Sequence, residues 1–350
     1  MRKSVLFYLV ILLSFTLLLA ACGGGSDETE SDSNTESDGN TESSSDDLIT
    51  LKLINDAAEG HPQAVGSNLF KELVEERLDG KVEVEVYNNS SLFDIDEGLE
   101  ALQAGNIHIV SGSTAKLVGY DQAYQLFDVP FLFSSTDELR RFYESEAGQD
   151  LKSRVEDHGL KILDIWFGTF KQMTNSKHPI TSPEDMEGLK FRVMAGGLLE
   201  DQFTTLGAGA TVIPFSELYM SLQQGVIDGQ ENTFTEIATS KLYEVQDYMT
   251  ITNHALASYP FITNKEFWEG LPEDIRTELE AILSEVTEEV AKVTEEIDQT
   301  DYKTIEESGI EIVDLTDEER EEFKEALQPL YDEYKDVIGA DLMDAAINFE

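Results

Sequence analysis

LITLKLINDAAEGHPQAVGSNLFKELVEERLDGKVEVEV, residues 48–86, decides the fold class. Leu48 to Ile54 alternates apolar residues, the period of a strand. Gly60-His61-Pro62 turns the chain. Ala64, Val65, Leu69, Phe70, Leu73 and Val74 then recur at helical spacing, and Gly80 ends that helix. Val82, Val84 and Val86 alternate with charged residues, a half-buried strand. A helix from about Asp96 to Gln103 and a short buried strand from Ile107 to Val110 follow. This β-α-β-α-β order predicts a mainly parallel α/β sheet.

The pattern returns downstream. Strands are expected at Leu160–Trp166, Leu189–Met194, Thr211–Ile213 and Val226–Asp228. Helices are expected near Leu198–Leu206 and Phe215–Gln224. Two α/β units in one chain place a ligand cleft between lobes, beyond the carboxyl ends of the strands. Leu271-Pro272-Glu273-Asp274 opens a long helix with Pro272 in its first turn and acids at the positive end of its dipole. The stripe Ile275, Leu279, Ile282, Val286, Val290, Val293 and Ile297 marks its buried face. The helix is long enough, at roughly 45 Å, to brace both lobes.

The amino end sets the compartment. Arg2 and Lys3 precede an apolar run from Val5 to Leu19, then small residues and Cys22, which is the layout of a secretory signal. Leu19-Ala20-Ala21-Cys22 resembles a bacterial lipobox, which implies lipidation of Cys22. Cys22 is the only cysteine, so an internal disulfide is excluded. Two or more acyl chains on one residue give stable attachment to a bilayer. Residues 23–47 hold nine acids, no base and no aromatic residue, the composition of a disordered tether reaching about 25–30 Å. The expected organisation is a signal over 1–21 and a lipidated tether over 22–47. One lobe would take 48–168 with about 258–297, the other 169–257 with about 298–350. The location is the outer, extracytoplasmic face of the cell membrane.

The chain carries a net charge of -47. With Arg2, Lys3 and the nine tether acids set aside, the body keeps -40, a surface that repels nucleic acid and anionic lipid heads. Catalytic signatures are missing: no Walker loop, no His-Glu-x-x-His, no Gly-x-Ser-x-Gly and no Cys-x-x-Cys. The five histidines are not at metal-ligand spacing, so neither metal nor cofactor is expected. Gly207-Ala208-Gly209-Ala210 reads as a turn. Asp94, Asp96 and Gly98 read as a helix start, not a calcium loop. In Leu189-Lys190-Phe191-Arg192-Val193-Met194 the alternation puts Lys190, Arg192 and Met194 on the face opposite the apolar one. By period alone Arg192 is solvent-facing, yet its planar fork is suited to a carboxylate.

Several motifs in order resemble one family. Pro183-Glu184-Asp185-Met186-Glu187-Gly188-Leu189-Lys190-Phe191-Arg192-Val193 is similar to the central motif of solute-binding proteins of tripartite ATP-independent periplasmic (TRAP) transporters, of the dicarboxylate-binding (DctP) type. Phe127-Asp128-Val129-Pro130-Phe131, Pro214-Phe215-Ser216-Glu217-Leu218-Tyr219 and Leu222-Gln223-Gln224-Gly225-Val226-Ile227-Asp228-Gly229-Gln230-Glu231-Asn232 fit the same pattern. The resemblance spans Leu48 to the carboxyl end. It implies a two-lobed, periplasmic-binding-protein-like α/β fold with a hinge and a long connecting helix.

It also implies that Arg192 grips the carboxylate of a small organic anion, that Asn232 hydrogen-bonds to it and that Phe215 packs on it. His61 and Ser113 approach from the other lobe. Lys171 stands where the family usually has a second arginine, and Thr233 where it usually has proline. The implied solute is a four-carbon dicarboxylate or a sugar acid. The implied partners are one small and one large membrane subunit, and the body is expected to be a monomer. An exported carbohydrate-active hydrolase and a ligand-sensing lipoprotein without a transporter are the alternatives.

Overall fold

The computed structural model describes residues 48–349. The expected signal, the tether and Cys22 lie outside the described residues. Eleven strands are present among the described residues: β1 (Ile49–Asn55), β2 (Val82–Tyr87), β3 (Ile109–Ser111), β4 (Leu160–Phe170), β5 (Gln172–Asn175), β6 (Lys190–Val193), β7 (Gly209–Val212), β8 (Gly229–Asn232), β9 (Tyr248–Ile251), β10 (Leu256–Asn264) and β11 (Glu311–Asp314). They form two sheets, of order β2-β1-β3-β10-β4 and β11-β9-β5-β8-β6-β7. Both sheets are mixed rather than mainly parallel. β1, β2 and β3 run parallel, but β10 is antiparallel to β3 and to β4. In the second sheet β5 is antiparallel to β8 and β9, while β6 is parallel to β7 and β8.

The antiparallel strands arise where the chain changes sheets. It passes from β4 to β5 through the single residue Lys171 and returns from β9 to β10 through Thr252 to Ala255. The two crossings touch: Lys171 N–H donates to the Ala255 carbonyl at 2.8 Å, and Leu256 pairs with Phe170.

The helix over Pro62–Arg77 starts on His61, whose side chain accepts from the Gln63 N–H, with Pro62 in the first turn. It buries Phe70 and Val74 against Leu51, Leu53 and Phe261. Each such burial contributes about 1.5–3 kcal/mol. Gly66 lets this helix meet its neighbours: a Cβ there would stand 2.5 Å from Val290 and 3.0 Å from Trp166.

The long helix runs Glu273–Ser308, 36 residues or roughly 54 Å. Pro272 is the residue before its first turn, one place earlier than expected. Its first half (Ile275, Leu279, Ile282, Val286 and Val290) belongs to the core beneath the first sheet. Near its end Ile305 and Tyr302 belong to a separate apolar cluster with Ile237 and Met249 of the second sheet's side. One helix therefore packs on both halves, as expected of a brace.

Other expectations meet local differences. Asp94 caps the helix Ile95–Gln103, and Gly207 is a turn at φ +80. Val226–Asp228 is not a strand. Gly225 turns at φ +67 and leaves Val226 exposed, so pairing begins only at Gly229.

Candidate functional site

The six side chains singled out from the sequence line one pocket between the two sheets. Asp56, His61, Ser113, Lys116 and Tyr259 come from the side of the first sheet. Arg192, Phe215, Asn232, Thr233 and Glu236 come from the second, and Lys171 stands at the crossing between them.

Arg192 is the centre of the arrangement. It lies on β6, where alternation predicted a solvent-facing residue. Lys190 is exposed as that period requires, but by Arg192 and Met194 the same face has passed from solvent into the pocket. Arg192 is 2 % exposed. Its Nε donates to the Ile213 carbonyl at 2.8 Å, and its guanidinium carbon lies 5.8 Å from the Phe215 ring centroid. It forms no ion pair with any described residue. Burial pulls its pKa down to about 10, while Glu231, Asp56 and Glu236 only partly oppose the shift. A desolvated cation without a counter-ion is costly, and an anion entering the pocket would offset that cost.

Lys171 is in a different state. Its Nζ lies 3.1 Å from Glu231 Oε1 and 3.8 Å from Asp128 Oδ1, with all three side chains buried. Burial works against its ammonium, but Glu231 and then Asp128 outweigh burial and raise its pKa. Glu231 also receives His254 Nε2 at 3.0 Å, and His254 Nδ1 lies 2.7 Å from Thr252 Oγ1. Asp128 is left with too little compensation, and burial pushes its carboxyl up to about 7.

Asn232 ends a ladder of buried amides. Its Nδ2 donates to Gln230 Oε1, Gln230 Nε2 donates to Thr174 Oγ1 at 2.9 Å, and Thr174 Oγ1 donates to Gln246 Oε1 at 2.9 Å. Gln246 Nε2 closes the series on the Asp228 carbonyl at 3.3 Å. β8 is thus a polar strand with all four residues buried. Gly229 is required there: a Cβ would meet the Thr174 carbonyl at 2.4 Å.

His61 and Ser113 do reach the pocket. Both ring nitrogens of His61 are engaged, Nδ1 by the Gln63 N–H at 3.1 Å and Nε2 by Glu236 Oε1 at 3.5 Å. Its ring stands edge-on to Tyr259 at 5.4 Å. Ser113 Oγ accepts from the Ala115 N–H at 3.3 Å, which leaves its hydroxyl proton to donate elsewhere.

Sequence reasoning missed Glu236, Tyr259, Asp56 and Lys116. Glu236 joins the two halves. It accepts from His61 and from the Tyr259 hydroxyl of the first sheet, and from the Thr233 N–H at 3.0 Å and the Thr233 hydroxyl beside it. Burial alone would raise its pKa, yet these bonds, led by His61, hold it at about 2. Thr233-x-x-Glu236 is a capping box that starts the helix Phe234–Thr239. That pattern was readable in the sequence. Thr233 therefore supplies both an N–H and a hydroxyl to Glu236.

Paired crossings between two α/β sheets, around a pocket that keeps a buried and unpaired guanidinium, are the marks of a solute receptor. The chain belongs to the bacterial extracellular solute-binding proteins of family 7, the DctP family, whose sequence profile matches residues 54–336. It is 39% identical over 287 residues to the C4-dicarboxylate-binding periplasmic protein DctP of Vibrio cholerae, covering 82% of this chain and 86% of that one. A TRAP periplasmic solute-binding protein from Shewanella oneidensis with bound succinate shares 36% identity at a TM-score of 0.84, covering 86% and 99% of the two chains. The sugar acid binding protein of Advenella mimigardefordensis in complex with galactonate shares 28% at 0.83, covering 86% and 98%.

The chain is accordingly a two-lobed TRAP solute-binding protein and not an enzyme, and the hydrolase alternative finds no support. No helix among the described residues is long and apolar enough to cross a membrane.

Proposed function

We propose that this chain captures a four-carbon dicarboxylate outside the cytoplasm and hands it to the small and large membrane subunits of a TRAP transporter. The observation that carries the reading is Arg192: buried, stacked against Phe215, facing a pocket and paired with no carboxylate of its own. A ligand carboxylate completes that charge with two hydrogen bonds from the fork. Asn232 adds an amide contact, Ser113 donates its hydroxyl from the opposite side, and Phe215 covers the ligand. His61 acts through Glu236, since neither ring nitrogen is uncommitted. Lys171, tied to Glu231 and Asp128, contributes positive potential rather than a second fork.

The lobes are taken as 48–168 with about 258–297, and 169–257 with about 298–350, moving about a hinge at the crossings. Residues 1–21 are read as a signal and Cys22 as a lipid anchor on the outer face of the membrane. Residues 23–47 form the tether, and the body acts as a monomer. Dicarboxylates are preferred to sugar acids because the relatives named for C4-dicarboxylates share more of the sequence.

A thermal-shift and calorimetric panel of succinate, malate, fumarate, galactonate and glucuronate tests the assignment. A ligand at 100 times its Kd adds about 2.7 kcal/mol to stability. Stabilisation by a C4 acid without turnover is the expected result. Binding of sugar acids alone would move the assignment to that class, and binding of none would reject the capture of small carboxylates.

A further inference from the structure

The pocket that would take an anion contains an anion of its own. Asp56 follows β1 and lines the same cavity as Arg192. Apart from its own backbone amide, its carboxylate has no hydrogen-bond or ion-pair partner among the described residues. The nearby donors are committed elsewhere: the Lys116 ammonium to Asp96 at 2.6 Å, and His61 Nε2 to Glu236 at 3.5 Å. The other acid lining the pocket, Glu236, is saturated by His61, Thr233 and Tyr259. The site is therefore dipolar, with one donor fork and one acceptor carboxylate left open on a shared cavity.

A plain dicarboxylate satisfies only the fork and brings its charge toward Asp56. An acid that also carries a hydroxyl satisfies both, because an O–H donates to a carboxylate. We infer that Asp56 is a specificity-determining residue that selects a hydroxylated acid, such as a 2-hydroxy dicarboxylate, by accepting the ligand hydroxyl. This rests on the reading of the pocket as a carboxylate site. Sites built to hydrogen-bond a ligand hydroxyl reject analogues that lack it, since the unpaired acceptor is then left without compensation.

The test is calorimetry of malate and succinate on the wild-type protein, Asp56→Asn and Asp56→Ala, each checked for cooperative thermal unfolding. The wild type should favour malate by about tenfold or more. Asp56→Ala should lose malate affinity and gain succinate affinity, bringing the ratio to within about threefold of unity. Asp56→Asn keeps an acceptor oxygen and should retain part of the preference.

A wild-type protein that prefers succinate or treats the two alike overturns the inference. So does an Asp56→Ala ratio within threefold of the wild-type ratio. If Asp56→Ala does not fold, the wild-type ratio and Asp56→Asn decide. Binding of succinate without preference defeats this inference alone, whereas failure of both acids to bind defeats the carboxylate reading with it.

Discussion

Arg192→Met should separate binding from stability. Burial lowers the Arg192 pKa from the ordinary guanidinium range to about 10, a drop of roughly two to three units. At ~1.4 kcal/mol per unit, the empty folded protein carries the charged guanidinium at a cost of about 3 kcal/mol. Because the folded pKa is depressed, that cost is present in full at neutral pH and is relieved only as pH rises through about 10. Methionine removes the charge but also the bond to the Ile213 carbonyl, worth about 1 kcal/mol, and the stacking on Phe215, worth ~0.5–2 kcal/mol. The ligand-free variant should therefore melt at the wild-type temperature or slightly above it. Apolar replacement of buried ions is commonly neutral or stabilising. Its affinity for the native solute should fall by ~2–5 kcal/mol, roughly 30-fold to several thousandfold. Calorimetry for binding and denaturant unfolding for stability check the two halves. A variant destabilised by more than about 2 kcal/mol that still binds within threefold of wild type would refute the reasoning.

Asp56, Asp128 and Asp298 have carboxyls raised to about 6, 7 and 6, chiefly by burial. The folded state holds protons there that the unfolded chain releases, so stability should fall as pH rises from about 4 to about 7. A melting temperature that is lower at pH 5 than at pH 8 would contradict this, and Asp128→Asn should flatten the slope. Gly66→Ala should cost about 1–3 kcal/mol, because the new methyl must displace Val290 or Trp166; a denaturant midpoint equal to wild type would show that the helices part without strain. Cys22→Ala should release the protein from the membrane fraction, and mass spectrometry finding an unmodified Cys22 at the mature wild-type terminus would reject the anchor.

Elements with clean hydrophobic periods were legible. Val82, Val84 and Val86 and the helix that buries Phe70 and Val74 appear where alternation and helical spacing put them. What escaped were the polar strands at and behind the pocket. Gln172–Asn175 and Gly229–Asn232 are fully buried yet mostly polar, because their side chains are satisfied by one another rather than by water. No apolar alternation marks such strands, while the apolar pair Val226-Ile227 beside them suggested one that is not there. Arg192 shows the same limit: period placed its face correctly but could not tell that the face leaves solvent partway along β6. The family motif singled out the residue. Glu236 and Tyr259 meet only through the return crossing into the first sheet, a contact that local spacing does not encode.

The amide ladder behind Asn232 has one further consequence. Its last link ends on the Asp228 main-chain carbonyl, which has no proton to give. That end fixes the sense of Gln246, which fixes Thr174, then Gln230, then Asn232. The row is proton-ordered: reversing one amide would set two acceptors or two donors face to face at a neighbouring link. Which end of Asn232 faces the pocket is thus set at Asp228 and Gln246, outside it. A change at Gln246 therefore reaches the wall of the pocket through this row without altering a single residue on it.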